Sequence, residues 1–141
     1  MAIYQFLIEK EITIAISPRG MDYFETKPEN IVLINLDGNI IEGLRKPSSE
    51  AKMHILIYKN RSDANSVVHT HSTFATTIAT LNWEIPPLHY LVAFDGLKVP
   101  VQSMLVMVQL NAENVVNALG KDYKTTLLSN HGLISVGYNI E

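Results

Sequence analysis

The chain has 141 residues, 47% of them hydrophobic, a formal charge of −3 and no cysteine. That length serves one domain, residues 1–141, with a real core, and the near-balanced charge argues against a bulk pull on nucleic acid or anionic membrane. Without cysteine, disulfides and thiolate metal sites are excluded, so any metal must be held by His, Asp or Glu.

The first residues, MAIYQFLIEKEI, carry acidic side chains where a signal peptide would carry its apolar core, and no apolar run reaches the ~18 residues of a membrane span. A cytoplasmic protein is expected. Glu11 to Ser17 is β-branched and partly alternating and predicts a strand, stopped by Pro18-Arg19-Gly20. Ile31 to Leu36 predicts a second, and Asp37-Gly38 a hairpin turn into Asn39 to Glu42. Pro47-Ser48-Ser49-Glu50 opens a helix that Ser48 or Ser49 can cap, with Met53, Leu56 and Ile57 as its apolar stripe up to about Lys59.

Ser66 to His69 predicts a short buried strand, Thr73 to Leu81 a small-residue helix, and Ala112 to Leu119 a helix ended by Gly120. Thr125 to Leu128 and Leu133 to Val136 predict two strands around Ser129-Asn130-His131-Gly132. Strands and helices mix without regular βαβ alternation. The expected class is a layered α/β or α+β domain, with a largely antiparallel central sheet flanked by helices.

His69-Thr70-His71 is the sharpest local signal. Residues i and i+2 of a strand point to one side, so two imidazoles converge and supply half of a tetrahedral zinc shell. Taken alone, the pair fits either a metal site or a chance pairing at a strand end. His131 could be a third ligand, although a lone histidine in a turn is usually a surface residue; His54 and His89 are further candidates, His54 on a helix face. Glu50 stands in the first helical turn after two serines that could face an anion, yet from spacing alone an ordinary acidic cap explains it.

Taken together, EGLRKPSSEAKMHILIYKNRSDANSVVHTHSTFATTIATLNWEIPPLHYLVA and TTLLSNHGLI resemble the class II aldolase/adducin family, and within it the L-fuculose-phosphate aldolases. The resemblance covers about Ile16 to Val101 and Asn114 to Ile140. It implies Zn2+ held by His69, His71 and His131, with Glu50 approaching the metal and shuttling the proton. It implies substrate phosphate binding by Ser48, Ser49 and Gly20, and Tyr90 as a proton donor in a neighbouring subunit's site; Arg19 stands where the family commonly has Thr or Ser, either as an extra phosphate contact or pointing to solvent. The implied reaction cleaves L-fuculose 1-phosphate, or a similar ketose 1-phosphate, to dihydroxyacetone phosphate and L-lactaldehyde. The implied assembly is a homotetramer with sites between subunits. Related ribulose-phosphate 4-epimerases carry a Gly-Thr-Thr-His-Ala-Asp segment where this chain has IPPLHYLVAFDG, which places an epimerase-like enzyme behind the aldolase.

The chain departs from the family at both ends and at Gln102 to Asn111, where a polar Tyr-Ala-x-x-Gly-Thr stretch is expected, and the expectation is of a domain without the family's N- and C-terminal elements. Back-translated with permitted codons and read one base earlier, Met1 to Glu11 yields the family's Gly-Asn-x-Ser loop. Val101 to Asn111 similarly yields Tyr-Ala-Ser-Tyr-Gly-Thr. A frameshifted gene is therefore one expectation, which would make the chain a catalytically impaired, zinc-binding remnant; a buried apolar strand at QSMLVMVQL is the other.

Overall fold

A computed structural model describes residues 2–8, 11–102 and 109–139. Its contacts divide the chain into two units, Met1–Val68 with Gly137–Glu141, and His69–Val136. The class is α/β, as expected. Among the described residues no helix is long and apolar enough to cross a membrane.

The first unit is built on antiparallel strands in the order β4-β3-β2-β1-β5. These are β1 (Ala2–Ile8), β2 (Glu11–Ile16), β3 (Val32–Asn35), β4 (Ile40–Glu42) and β5 (Ser66–Thr70), of which His69 and Thr70 already count with the second unit, with helix α1 at Ala51–Asn60. β2 is buried from Thr13 to Ile16, which is why its sequence is apolar on both faces rather than strictly alternating. β3 instead buries only Val32 and Ile34, one face of the pleat. Asn35 closes the predicted hairpin: its side-chain oxygen accepts the Asp37 and Asn39 N–H groups at 3.0 and 2.9 Å. β4 lies at the margin of these strands, with all three residues exposed.

β1 has no counterpart among the expected elements. It takes up much of the segment in which a shifted reading frame restores a Gly-Asn-x-Ser loop. Residues 103–108, which hold most of the second shifted segment, lie outside the described residues. The alternative, a buried apolar strand at QSMLVMVQL, also falls mostly there; of its described residues Gln102 is in a strand and Gln109 begins a helix.

α1 buries Met53, His54, Ile55, Ile57 and Tyr58. The expected serine cap is corrected: the N-cap is Glu50 and no side chain caps the helix. The Ser48 hydroxyl instead accepts the Glu50 N–H at 3.2 Å, a local side-chain turn that competes with capping. Arg61 ends α1 with its guanidinium buried and donates to both Asp63 oxygens at 2.8 Å, so the buried charge is matched by a bidentate carboxylate.

Burial holds the Tyr58 phenol well above its ordinary value of 10.0, a shift that a hydrogen bond with the Val67 backbone partly opposes. The folded phenol is therefore raised, its stabilising share complete below the unfolded value and lost as pH climbs above about 10. Denaturant titrations from pH 8 to 11 should show a steeper alkaline loss of stability for the unaltered chain than for Y58F. Equal slopes would contradict this.

The second unit contains helices α2 (Thr73–Thr80), α3 (Tyr90–Asp95) and α4 (Gln109–Leu119) and strands β6 (Val101–Gln102), β7 (Thr125–Leu128) and β8 (Gly132–Gly137). β7 lies between β6, its parallel partner, and β8, its antiparallel partner. α4 buries Ala112, Val115 and Leu119, a helical period of apolar positions, and Gly120 ends it at positive φ. Ala79 of α2, Val99 and Leu127 of β7 form a buried core, against which Ala75, Ile78, Ile85, Val92, Val101 and Leu133 pack.

Candidate metal centre

Three of the predicted ligands meet in the second unit. His69 lies on β5 with 2% of its surface exposed. His71 lies one residue past the end of that strand and is exposed. His131 comes from the turn between β7 and β8. The ring centroids stand 4.7, 4.9 and 4.8 Å apart, and the ligand nitrogens lie within 4.8 Å of one another.

The tautomer of His69 follows from its partner. Its Nδ1 lies 2.9 Å from the carbonyl oxygen of Leu133, which can only accept, so Nδ1 carries the proton. Its Nε2 is then the acceptor of the 2.9 Å hydrogen bond that it shares with the Nε2 of His71. A carbonyl that fixes the tautomer through the ring nitrogen facing away from the ion is the usual setting of a metal-bound histidine. Two nitrogens on one tetrahedral zinc at ~2.0–2.1 Å stand about 3.3 Å apart, so this pair opens by only a few tenths of an ångström to accept an ion. The residues fit a metal that takes imidazole nitrogen.

His131 is aimed by its turn. Its N–H donates to the Leu128 carbonyl at 3.0 Å, and Asn130 before it has φ of 57°. Gly132 after it leaves room for the end of β5: a Cβ there would collide with the Thr70 carbonyl oxygen and come within 3.1 Å of His71 Cδ2. G132A should therefore push the His131 turn away and cost about 1–3 kcal/mol. Urea unfolding checks this, and an unchanged midpoint would remove the steric argument.

The predicted anion-binding residues come together within the first unit. Pro18 and Pro47 form a β-bridge, the Arg19 N–H donates to the Lys46 carbonyl at 3.0 Å, and the Ser48 N–H donates to Ser17 at 3.0 Å. Arg19, Gly20 and Ser49 are exposed and Ser48 is buried. Gly20 has φ of 68° with open space around it, so backbone conformation rather than crowding favours glycine. Glu50 is half-buried at the head of α1. Tyr90 is the first residue of α3, exposed, with its ring 4.6 Å from that of His89. His54 is fully buried on α1, on a helix face as expected. The Leu133 carbonyl had no sequence signal, because its role depends on tertiary pairing.

Residues 7–141 match the model of the family described as Class II Aldolase and Adducin N-terminal domain. The chain belongs to the class II aldolase and adducin family. Among curated class II aldolase relatives, it is 47% identical over 133 residues to 5-deoxy-D-ribulose 1-phosphate aldolase of Bacillus thuringiensis serovar kurstaki, covering 91% of this chain and 60% of that protein. It is 38% identical over 128 residues to L-fuculose phosphate aldolase of Escherichia coli K12, covering 89% and 59%. A solved structure of an L-fuculose 1-phosphate aldolase superposes with a TM-score of 0.88 at 36% identity, covering 99% of this chain and 65% of that one. The chain thus spans about 60% of the length of the curated class II aldolases it matches.

Proposed function

We propose that this chain carries the active centre of a zinc-dependent aldolase acting on a ketose 1-phosphate. The observation that supports it most is the hydrogen bond between His69 Nδ1 and the Leu133 carbonyl, which turns the other ring nitrogen, Nε2, toward His71 and His131. On this reading His69, His71 and His131 hold the zinc, and Glu50 approaches it. A zinc ion held there supplies Lewis acidity, stabilising the charge that cleavage leaves on the ketone half.

The other groups bind substrate or move protons. Arg19, Gly20, Ser48 and Ser49 receive the phosphate, with the guanidinium supplying charge and the serines hydrogen bonds. As the C3–C4 bond breaks, the C4 hydroxyl gives up its proton and becomes the aldehyde, while C3 gains one. Glu50 exchanges the proton at C3 and Tyr90 the proton on the C4 oxygen. Tyr90 does so in the site of a neighbouring copy, in a homotetramer.

For the substrate, 5-deoxy-D-ribulose 1-phosphate stands ahead of L-fuculose 1-phosphate, since the relative named for the former shares 47% identity against 38%. The products are then dihydroxyacetone phosphate and acetaldehyde, rather than the L-lactaldehyde expected from the sequence. The test is release of dihydroxyacetone phosphate from both sugars, with and without a chelator. Turnover that zinc restores after chelation is expected. Metal binding without turnover would leave an inactive zinc-binding remnant, and chelator-insensitive turnover would sink the zinc mechanism.

A further inference from the structure

The turn that carries His131 is braced at two points from α2. Thr76 donates its hydroxyl to the His131 carbonyl at 3.4 Å. Asn82, just past the end of the helix, accepts the Ser129 hydroxyl at 2.7 Å, and Ser129 in turn accepts the Asn130 side-chain N–H at 3.1 Å. Ser129 is 3% exposed, so this short relay runs through a buried hydroxyl. Both of its ends lie at positive φ, 54° at Asn82 and 57° at Asn130, a left-handed conformation that asparagine adopts more readily than most other non-glycine residues.

The opposite end of α2 is fixed beside His71. Ser72 is the N-cap, its hydroxyl accepting the Ala75 N–H at 3.4 Å. α2 thus starts immediately after one histidine and grips the turn of another.

We infer that Thr76, Asn82 and Ser129 are positioning residues for a bound metal, with α2 as a strut that sets His131 against His69 and His71. The inference rests on the metal reading proposed above. The strut converges the imidazoles before an ion arrives, so the ordering of the His131 turn is not charged to binding. Two other hydroxyls of α2 offer a contrast. Thr77 and Thr80 donate to Thr73 and Thr76 carbonyls within the helix, at 2.8 and 2.9 Å, and have no such link to the turn.

The test is zinc affinity of the full chain by competition with a chromophoric chelator, together with the visible spectrum of the Co2+-loaded protein. S129A removes the hinge of the relay. N82G removes the acceptor while tolerating the same backbone, and N82D restores an acceptor oxygen. S129A and N82G should bind zinc about 10–100-fold more weakly with an altered cobalt spectrum, N82D should recover, and T77A should match the unaltered chain. H131A marks full loss of the third imidazole. If H131A loses affinity while S129A and N82G bind as tightly as the unaltered chain, the strut is overturned and the metal reading stands. If the unaltered chain binds neither metal, both fall. N82G, at an exposed position, keeps the test informative should S129A fail to fold.

Discussion

An H69A variant should lose the proposed metal and part of its stability, whereas H71A should lose that metal at much smaller cost to the fold. The contrast follows from burial. His69 is 2% exposed and hydrogen-bonded to the Leu133 carbonyl, so truncating it removes a part-buried hydrogen bond and the packing of a buried ring, a penalty of about 1–3 kcal/mol before any cavity is counted. His71 is exposed beyond the end of β5 and is not packed in this way. Both changes remove one of three imidazoles. Outer-shell substitutions weaken metal sites by about 10–100-fold, so losing a direct ligand should exceed about 100-fold. Metal analysis after dialysis and urea unfolding of both variants give the two readouts. Unchanged zinc stoichiometry in either would contradict the assigned ligands.

The second large effect is expected at Glu50. E50Q keeps the side chain's shape and removes the proposed base, so kcat should fall by about 100- to 10,000-fold with KM little changed. The fold should tolerate it, because the head of α1 has no side-chain cap to lose. Zinc content separates two roles: a drop in E50Q marks the carboxylate as a ligand, retention as a proton shuttle alone. Full activity in E50Q would remove Glu50 from the reaction.

Legibility in the sequence followed the range of the interactions. Val32–Asn35 and Thr125–Leu128 announced themselves through β-branched runs and bounding turns, and both strands are there. The hairpin at Asp37-Gly38 held because its chemistry is local to Asn35 and Asn39. α4 begins at Gln109, ahead of the expected Ala112, because its first turn lacks the apolar period that marks the rest. α3 was not expected: it is only six residues long, too short for a helical apolar period to stand out.

At the metal centre, the i, i+2 rule found His69 and His71 even though the strand stops between them at Thr70. His131 needed the family pattern, since nothing near it in sequence names its partners. Those partners are Leu133 on β8 for the orientation of His69, and Thr76 on α2 for the His131 turn, and they become neighbours only through tertiary packing. Ser48 misled for the opposite reason: two local bonds competed, and the turn to Glu50 won over the helix cap.

The three exposed residues of β4 have a consequence for how the protein behaves in crowded solution. An outermost strand offers unpaired amides to any passing extended chain, and Ile40 and Ile41 make that offer attractive to apolar segments. Its brevity limits such docking to few ladder bonds, and Glu42 sets a negative charge at its end. Replacing Glu42 with an apolar residue would lengthen the sticky margin and remove a gatekeeper against fibrous self-association.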